Sequence, residues 1–377
     1  MSTQTIQISL SASPADMAAP IWWLGLDVSK DTFDVALHPP LRPGQAPALD
    51  KLRTEKFPRT RQGIQQLLVW ADSLIPLPDQ PEQPAPTLRA VMEATGSYSH
   101  QLAIWMIAER ACTAPAIINP HVTAAHAQSL GTRNKTDKAD ARVIARFGAE
   151  RCPSAWEEPT PEHRALRELS RERSHVLTQL CAQREHGREA NSVKLVAKIQ
   201  SRLLKQLEKA LKELDKAIDG LIKKTPQFAK DFEIVSSVEG IGRVVFTTVT
   251  AECGDVRRFK TSRQLSAFAG LAPCQRLSGS SVHGKSHISK RGNPELRRVL
   301  YMAAMVAIRN PESSMGSFYQ RLIKAGKPKM AALMAVARKL LVLMRALLIT
   351  GKKYDPEFMK GCEQNSKACE QFPQRAA

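Results

Sequence analysis

Two apolar runs that each close on a carboxylate constrain this chain more than any other feature. IWWLGLDVS carries Asp27 and LRAVME ends at Glu93, and both have the length and composition of buried strands. A carboxylate at the end of a buried strand needs a partner, because desolvating it alone is costly. Asp137 and Asp140, three apart in RNKTDKADA at the start of a helical segment, share one helix face. Four such charges repel one another without a cation. Mg²⁺ takes hard oxygen ligands and holds phosphate oxygens, so this set points to a divalent-metal site for phosphoryl transfer. Taken singly, Asp27 equally fits the opening of a turn and Asp137 a helix N-terminal residue favoured by the dipole. Asp31 fits a turn and Asp34 alternates with Phe33 and Val35, so both are read as structural.

The surrounding pattern predicts an α/β domain over 21–151. IWWLGLDVS and TFDVALH form a hairpin turning at Ser29 to Asp31, and a short strand near Phe57 follows. Arg61 to Leu74 is a helix with apolar residues at 64, 67, 68 and 71. LRAVME is a strand, SHQLAIWMIAER a helix, TAPAIIN a strand and DKADARVIARFGAE a helix. Pro39 to Pro47 and Pro76 to Pro86 are proline-rich loops, and residues 1–20 are a disordered lead-in. Past Pro161 the composition turns to charged helix with leucine spacing, at Leu166, Leu169, Val176 and Leu180, and again at Leu204, Leu207, Leu211, Leu214, Ile218 and Leu221. Two coiled-coil-like arms over 162–231, separated near Gly187, fit equally an intramolecular hairpin and a dimer seam. A third segment, 232–350, holds Gly240-Ile241-Gly242 between helical stretches, like a helix-hairpin-helix whose glycines admit a phosphate. Residues 351–377 are a peripheral tail.

Charge narrows the partner class. The chain has 377 residues, a net charge of +19 and a pI near 9.8, and from Arg257 to Arg345 only Glu295 and Glu312 oppose 18 Lys and Arg. Such a surplus indicates a polyanion. A membrane is disfavoured, since the most apolar stretch, Leu333 to Ile349, is broken by Arg338, Lys339 and Arg345. Seven cysteines without a CxxC pair or zinc spacing read as reduced thiols in a cytosolic protein.

The segment GLAPCQRLSGSSVHGKSHISKRGNPELRRVLY is rich in Gly, Ser and cations and reads as a flexible loop leading into a helix after Asn293-Pro294. Arg276, Lys285, Lys290, Arg291, Arg297 and Arg298 are placed to grip a nucleic-acid backbone, although composition alone favours a solvated linker. Together GLDVSK, EATGSY, INPHVTAAHAQSLGTRNKTDKADAR, GIG, AFAGLAP, SGSSVHGKSHISKRGN and LRRVLYMAAMVA resemble the DEDD insertion-sequence transposases, the RuvC-like recombinases guided by a bridge RNA. The likeness runs in order from Leu24 to about Leu348.

That resemblance implies a fold class of α/β plus all-α: an RNase H-like (RuvC-type) domain, coiled-coil arms, and a mostly helical C-terminal transposase domain. It implies that Asp27, Glu93, Asp137 and Asp140 hold Mg²⁺ and that Ser278 is the nucleophile that becomes linked to a DNA strand. Ser280 and Ser281 are neighbouring contacts, and His283 and His287 are loop residues or phosphate contacts. Gly240 and Gly242 join the basic residues as nucleic-acid contacts. The implied partners are donor and target DNA, a noncoding guide RNA and further copies of the chain, as a dimer assembling to a tetramer, in the bacterial cytoplasm at the nucleoid. A serine hydroxyl needs activation, and a covalent phosphoserine would conserve bond energy for religation without ATP, in keeping with the absence of a GxxxxGK[ST] loop. Competing readings are a junction-type nuclease using the same carboxylates on water, an actin-like ATPase opened by GLD, and a non-enzymatic architectural protein. The N-terminal extension and the two proline-rich inserts depart from the family pattern.

Overall fold

The computed structural model describes residues 19–41, 46–78, 84–110, 113, 115–132, 136–187, 193–278, 282–289 and 291–355. The chain divides into two compact units, 1–158 and 159–377.

The first unit is a five-stranded mixed sheet with helices on both faces. Strands β1 (Ile21–Val28), β2 (Thr32–His38) and β3 (Arg53–Pro58) form an antiparallel meander, and β4 (Thr87–Glu93) and β5 (Ala116–Ile118) add in parallel on the other side of β1, giving the order β3-β2-β1-β4-β5. Helices α1 (Arg61–Leu74) and α2 (Ser97–Glu109) connect the later strands, and α3 (Pro120–Ser129) and α4 (Asp137–Arg151) close the unit. Helix α1 keeps the expected bounds, buries Ile64, Leu67, Leu68 and Ala71, and is capped by the Thr60 hydroxyl, which accepts from Gly63 N.

Strand alternation sorts the side chains into two unlike faces. Leu24, Leu26, Val28, Phe33, Val35, Leu37, Leu88, Ala90 and Met92 pack with α1 and α2 into the larger core. The opposite face carries Trp23, Gly25, Ala36 and Val91 and receives α4, through Ala141, Ile144, Ala145 and Phe147. Bulk is missing where α4 crosses β1. A Cβ on Gly25 would lie 2.1 Å from Ala145 N and 2.3 Å from Ala141 O, so the helix backbone rests directly on the strand. The fold therefore needs glycine at this position.

The second unit is helical. Helices α5 (Pro161–His186) and α6 (Lys194–Lys224) pair as an antiparallel hairpin within the chain, tied by Arg173 to Asp215 at 2.6 Å and Arg184 to Glu208 at 2.8 Å. Of the two arrangements left open by leucine spacing, these contacts show the intramolecular one. Then come α7 (Pro226–Val235), α8 (Arg243–Cys253), α9 (Ser262–Phe268), α10 (Pro294–Ala307), α11 (Ser314–Lys324) and α12 (Lys329–Thr350). Helix α12 is buried along most of its length, from Leu333 to Leu348, and forms the middle of the core with α8 and α10.

One element differs from its expectation. The Gly- and Ser-rich basic segment is an antiparallel hairpin, β6 (Pro273–Ser278) and β7 (Val282–Ile288), rather than a flexible loop. Backbone pairing supplies order that composition did not signal, with an irregularity between Cys274 and Arg276.

Substituting Gly25 with Ala should destabilise the first unit by about 3 kcal/mol or more, because a packed backbone rather than a flexible side chain would have to move. A urea unfolding midpoint matching the parent protein would show that α4 does not sit this close.

Candidate active site

Alternation also decides where the carboxylates go. Asp27 follows Trp23 and Gly25 on the α4 face, Asp34 pairs directly with Asp27 across β1 and β2, and Lys56 pairs with Asp34 across β2 and β3. Leu26 pairs with Met92, so Asp27 and Glu93 are the next positions along two adjacent parallel strands. Helix α4 starts over this end of the sheet with Asp137 and Asp140 in its first turn. Its N-cap Thr136 accepts from Ala139 N at 3.2 Å, and the helix dipole favours anions at that end. Residues 133–135 of the same motif lie outside the described residues.

Electrostatics shows that the four predicted carboxylates share one neighbourhood. Half-buried Asp27 is pushed up to about 6, first by burial and then by Asp140, Asp137, Glu93 and Asp34. Asp34, only 3% exposed, is ion-paired with Lys56 at 3.1 Å, and Lys56 Nζ also stands 3.8 Å from Asp137 Oδ2. The Glu93 carboxylate accepts a hydrogen bond from the Thr123 hydroxyl, a buried group on α3. The Pro120 carbonyl, 2.9 Å from the same hydroxyl, is its alternative acceptor.

An all-carboxylate donor set suits a hard divalent cation in its chemistry. Among the described residues, however, no three His, Cys, Asp or Glu side chains are gathered tightly enough to enclose a metal ion as they stand. Strand register nevertheless puts Asp27 and Glu93 side by side, and α4 begins over the same end of the sheet. The four like charges repel one another with no cation between them, and Asp137 is 68% exposed. Asp27, Glu93, Asp137 and Asp140 are the groups that would hold such an ion.

The second unit presents Ser278 at the end of β6, paired in register with Val282. Ser280, Ser281 and Lys290 lie outside the described residues, as do the side chains of Ser278, Arg276, His283 and Lys285. The base of the hairpin is described in detail. Ser289 N donates to Ala272 O at 2.9 Å and Asn293 N to Phe268 O at 3.0 Å. Gly270 and Gly292 meet so closely that a Cβ on Gly292 would lie 2.2 Å from Gly270 N. Asn293 caps α10 by accepting from Glu295 N and Leu296 N. Its amide donates at 2.6 Å to Glu252, which is buried and also held by Arg171 through two bonds of 2.8 and 3.0 Å. That arrangement fixes both ends of the hairpin to the helical core.

The remaining expected nucleic-acid contacts divide. Arg297 is half-buried and donates to the carbonyls of Gly292 at 2.7 Å and Ala269 at 3.3 Å, which is a structural use of the guanidinium. Arg298 is exposed and bonded to Glu295 and Ser174, and Arg291 and His287 are exposed. Gly240, at φ 89°, faces α10, where a Cβ would lie 2.5 Å from Ala303 O, so packing accounts for it. Gly242 has open space around it at the start of α8.

Sequence reasoning missed Lys56 and Thr123 as neighbours of the carboxylates, and the Glu252–Arg171–Asn293 cluster. Asp34, read as structural from its alternation with Phe33 and Val35, lies instead among the carboxylates, because that alternation puts it on the face away from the larger core and in register with Asp27. The pairing with Lys56 needed the strand register.

Comparison with known proteins matches two stretches of the chain. A family model of DEDD-type IS110 transposases, described as a transposase, matches residues 24–190, and one described as the IS116/IS110/IS902 transposase family matches 232–320. These matches support a DEDD-type transposase, an enzyme class that acts in DNA recombination, of the IS110/IS116 family. The pilin gene-inverting protein of Moraxella bovis is 29% identical over 333 residues, covering 88% of this chain and 97% of that protein. The transposase of insertion sequence element IS1111A from Coxiella burnetii is 33% identical over 135 residues, 35% of this chain and 37% of that one. A 42 kDa protein of insertion element IS900 from Mycobacterium paratuberculosis is 31% identical over 163 residues, 43% of this chain and 40% of that one. DEDD-type chemistry depends on a divalent metal, in keeping with the donor set. Among the described residues no helix is long and apolar enough to cross a membrane.

The raised Asp27 has a consequence for stability. Its folded-state pKa of about 6 exceeds the ordinary 3.8, so the folded protein binds this proton more tightly than the unfolded chain. Metal-free stability therefore falls as pH rises through the window from about 4 to 6. Asp27→Asn should make the protein in EDTA more stable at pH 7 by about 1–2 kcal/mol, the full shift being reduced by partial solvation, with the gain gone near pH 4. Parallel urea-stability profiles of the two proteins across that range would contradict the convergence of charges.

Proposed function

We propose that this transposase excises and inserts a mobile element by Mg²⁺-dependent strand exchange through a covalent link between Ser278 and DNA, with sequence choice delegated to a guide RNA. The observation that carries the reading is the delivery of Asp27, Glu93, Asp137 and Asp140 to one end of one sheet face, with Asp27 raised by all three others. Bound there, Mg²⁺ would supply electrophilic stabilisation of the phosphate charge and assist ionisation of a hydroxyl.

The roles of the chain's own residues follow from their chemistry. The carboxylates bind and orient, and Thr123 fixes the Glu93 carboxylate. Ser278 Oγ loses its proton and attacks phosphorus; the bond from phosphorus to a deoxyribose oxygen breaks, and that oxygen takes up a proton. Attack by the hydroxyl of a second strand reverses the sequence, releasing Ser278 and joining a new pair of ends. The hairpin is tied at its base through Asn293 and Glu252, which would anchor the strand that carries such a nucleophile. Gene inversion, after which the Moraxella relative is named, requires rejoining as well as cutting, which supports exchange over simple hydrolysis.

The charge surplus of the C-terminal segment supports binding of donor and target DNA and of RNA, with Arg291 and Arg298 on exposed surface and Arg276, Lys285 and Lys290 along the same segment. Helix α6 leaves Leu195, Val196, Ile199 and Leu203 between 40% and 65% exposed, an apolar stripe suited to a coiled-coil contact with another copy. A dimer that assembles to a tetramer on DNA in the bacterial cytoplasm is the assembly this suggests.

Ser278→Ala should abolish recombination and the covalent protein–DNA adduct while DNA binding stays within about twofold, because only a hydroxyl is removed. A trapped adduct of undiminished yield in that variant, mapped by mass spectrometry, would reject Ser278. Cleavage without any adduct in the parent protein would favour the nuclease. Glu93→Gln should reduce Mg²⁺-dependent strand cleavage by about 10²-fold or more, as expected for loss of transition-state stabilisation. Turnover within about tenfold of the parent would exclude Glu93 from the reaction.

A further inference from the structure

A lysine lies among the acidic groups. Three adjacent strands place Asp27, Asp34 and Lys56 in one row on the α4 face. Lys56 Nζ stands 3.1 Å from Asp34 Oδ2 and 3.8 Å from Asp137 Oδ2, so one ammonium joins the sheet to the first turn of α4. The groups facing it are all acidic: Asp34 and Asp137 in contact and Asp27 nearby, and they favour its charged form. An ordinary cross-strand ion pair would account for the Asp34 contact alone. It does not account for an ammonium reaching over to α4, or for a pairing carboxylate that is 3% exposed and itself part of the acidic cluster.

We infer that Lys56 is a built-in counter-ion of the carboxylate cluster: it neutralises part of that charge in the metal-free protein and competes with the divalent cation for it, thereby setting metal affinity. The inference rests on the reading of the cluster as a divalent-cation site.

Two effects of Lys56 oppose each other, and their sizes decide the sign. Holding Asp137 in place would favour metal binding, but this contact is 3.8 Å long and Asp137 is 68% exposed, a type of pair that contributes little. Repulsion between a unit charge and a divalent ion roughly 6 Å away is worth about tenfold in affinity in water, and about threefold once 0.1 M salt screens it. Repulsion wins. The Lys56 side chain is about half exposed, so it can withdraw into solvent as the ion enters.

The test is Mn²⁺ binding to the full-length protein without DNA, read from the electron paramagnetic resonance signal of free Mn²⁺. At low ionic strength Lys56→Met and Lys56→Gln should bind Mn²⁺ about three- to tenfold more tightly than the parent, and Lys56→Arg should match it within about twofold. In about 0.5 M NaCl the gain should shrink, a change that lost packing would not produce. Unchanged or weaker binding in both neutral variants, with parent binding intact and abolished by Asp27→Asn, would overturn the counter-ion role alone. No Mn²⁺ binding by the parent would overturn the metal site, and the counter-ion role with it.

Discussion

The contact of α4 with β1 over Gly25 is the constraint on which the arrangement of the N-terminal unit depends. Asp27 belongs to a strand near the start of the chain, and Asp137 and Asp140 belong to a helix more than a hundred residues later. They come within electrostatic reach because the helix backbone lies on the strand with no side chain between them. Ala36, Ala141 and Ala145 continue the same small-residue seam, while the other face of the sheet is filled by Phe33, Leu24, Leu26, Met92 and the residues of α1 and α2. Bulk on one face anchors the sheet, and small residues at the crossing point on the other let α4 come close. The asymmetry is a packing solution that also gathers charge.

Gathering charge opposes stability, and the fold shows how the cost is limited. Asp27 is held near 6 by burial and by four other carboxylates, so it is partly protonated near neutral pH when no cation is present. The first turn of α4 offers backbone N–H groups and a favourable dipole to Asp137 and Asp140. Thr123 satisfies one oxygen of Glu93, and Lys56 balances Asp34. The cluster thus remains compatible with a folded protein and still presents oxygen ligands, which is the condition a divalent site must meet before its ion arrives.

In the C-terminal unit the corresponding problem is to hold a polar hairpin of low hydrophobicity in a defined place. The segments PCQRLS and VHGKSHI are rich in polar residues. Order is imposed instead at the base, by the Gly270–Gly292 contact, the two backbone bonds to Ala272 and Phe268, and the Asn293–Glu252–Arg171 bonds that reach into α8 and α5. Gly240 serves the same core rather than a phosphate, since its missing Cβ makes room for α10.

The sequence alone determined most of the local structure, because the signals were local. Apolar runs marked β1 and β4, the alternation of Phe33, Asp34 and Val35 fitted β2, the spacing at 64, 67, 68 and 71 marked α1, and the leucine rows marked α5 and α6. Helix α3 was less legible because its polar and apolar residues are mixed around the axis, although Asn119 and Pro120 at its start are cap signals. Tertiary structure alone decided the rest. Strand register brought Lys56 beside Asp34, the Gly25 crossing set α4 over Asp27, and chain reversal made α5 and α6 partners. Pairing gave the Ser278 segment its strands. The physical reason is common to all four: a register, a crossing or a pairing is a relation between two segments, and its energy resides in contacts that neither segment specifies by itself.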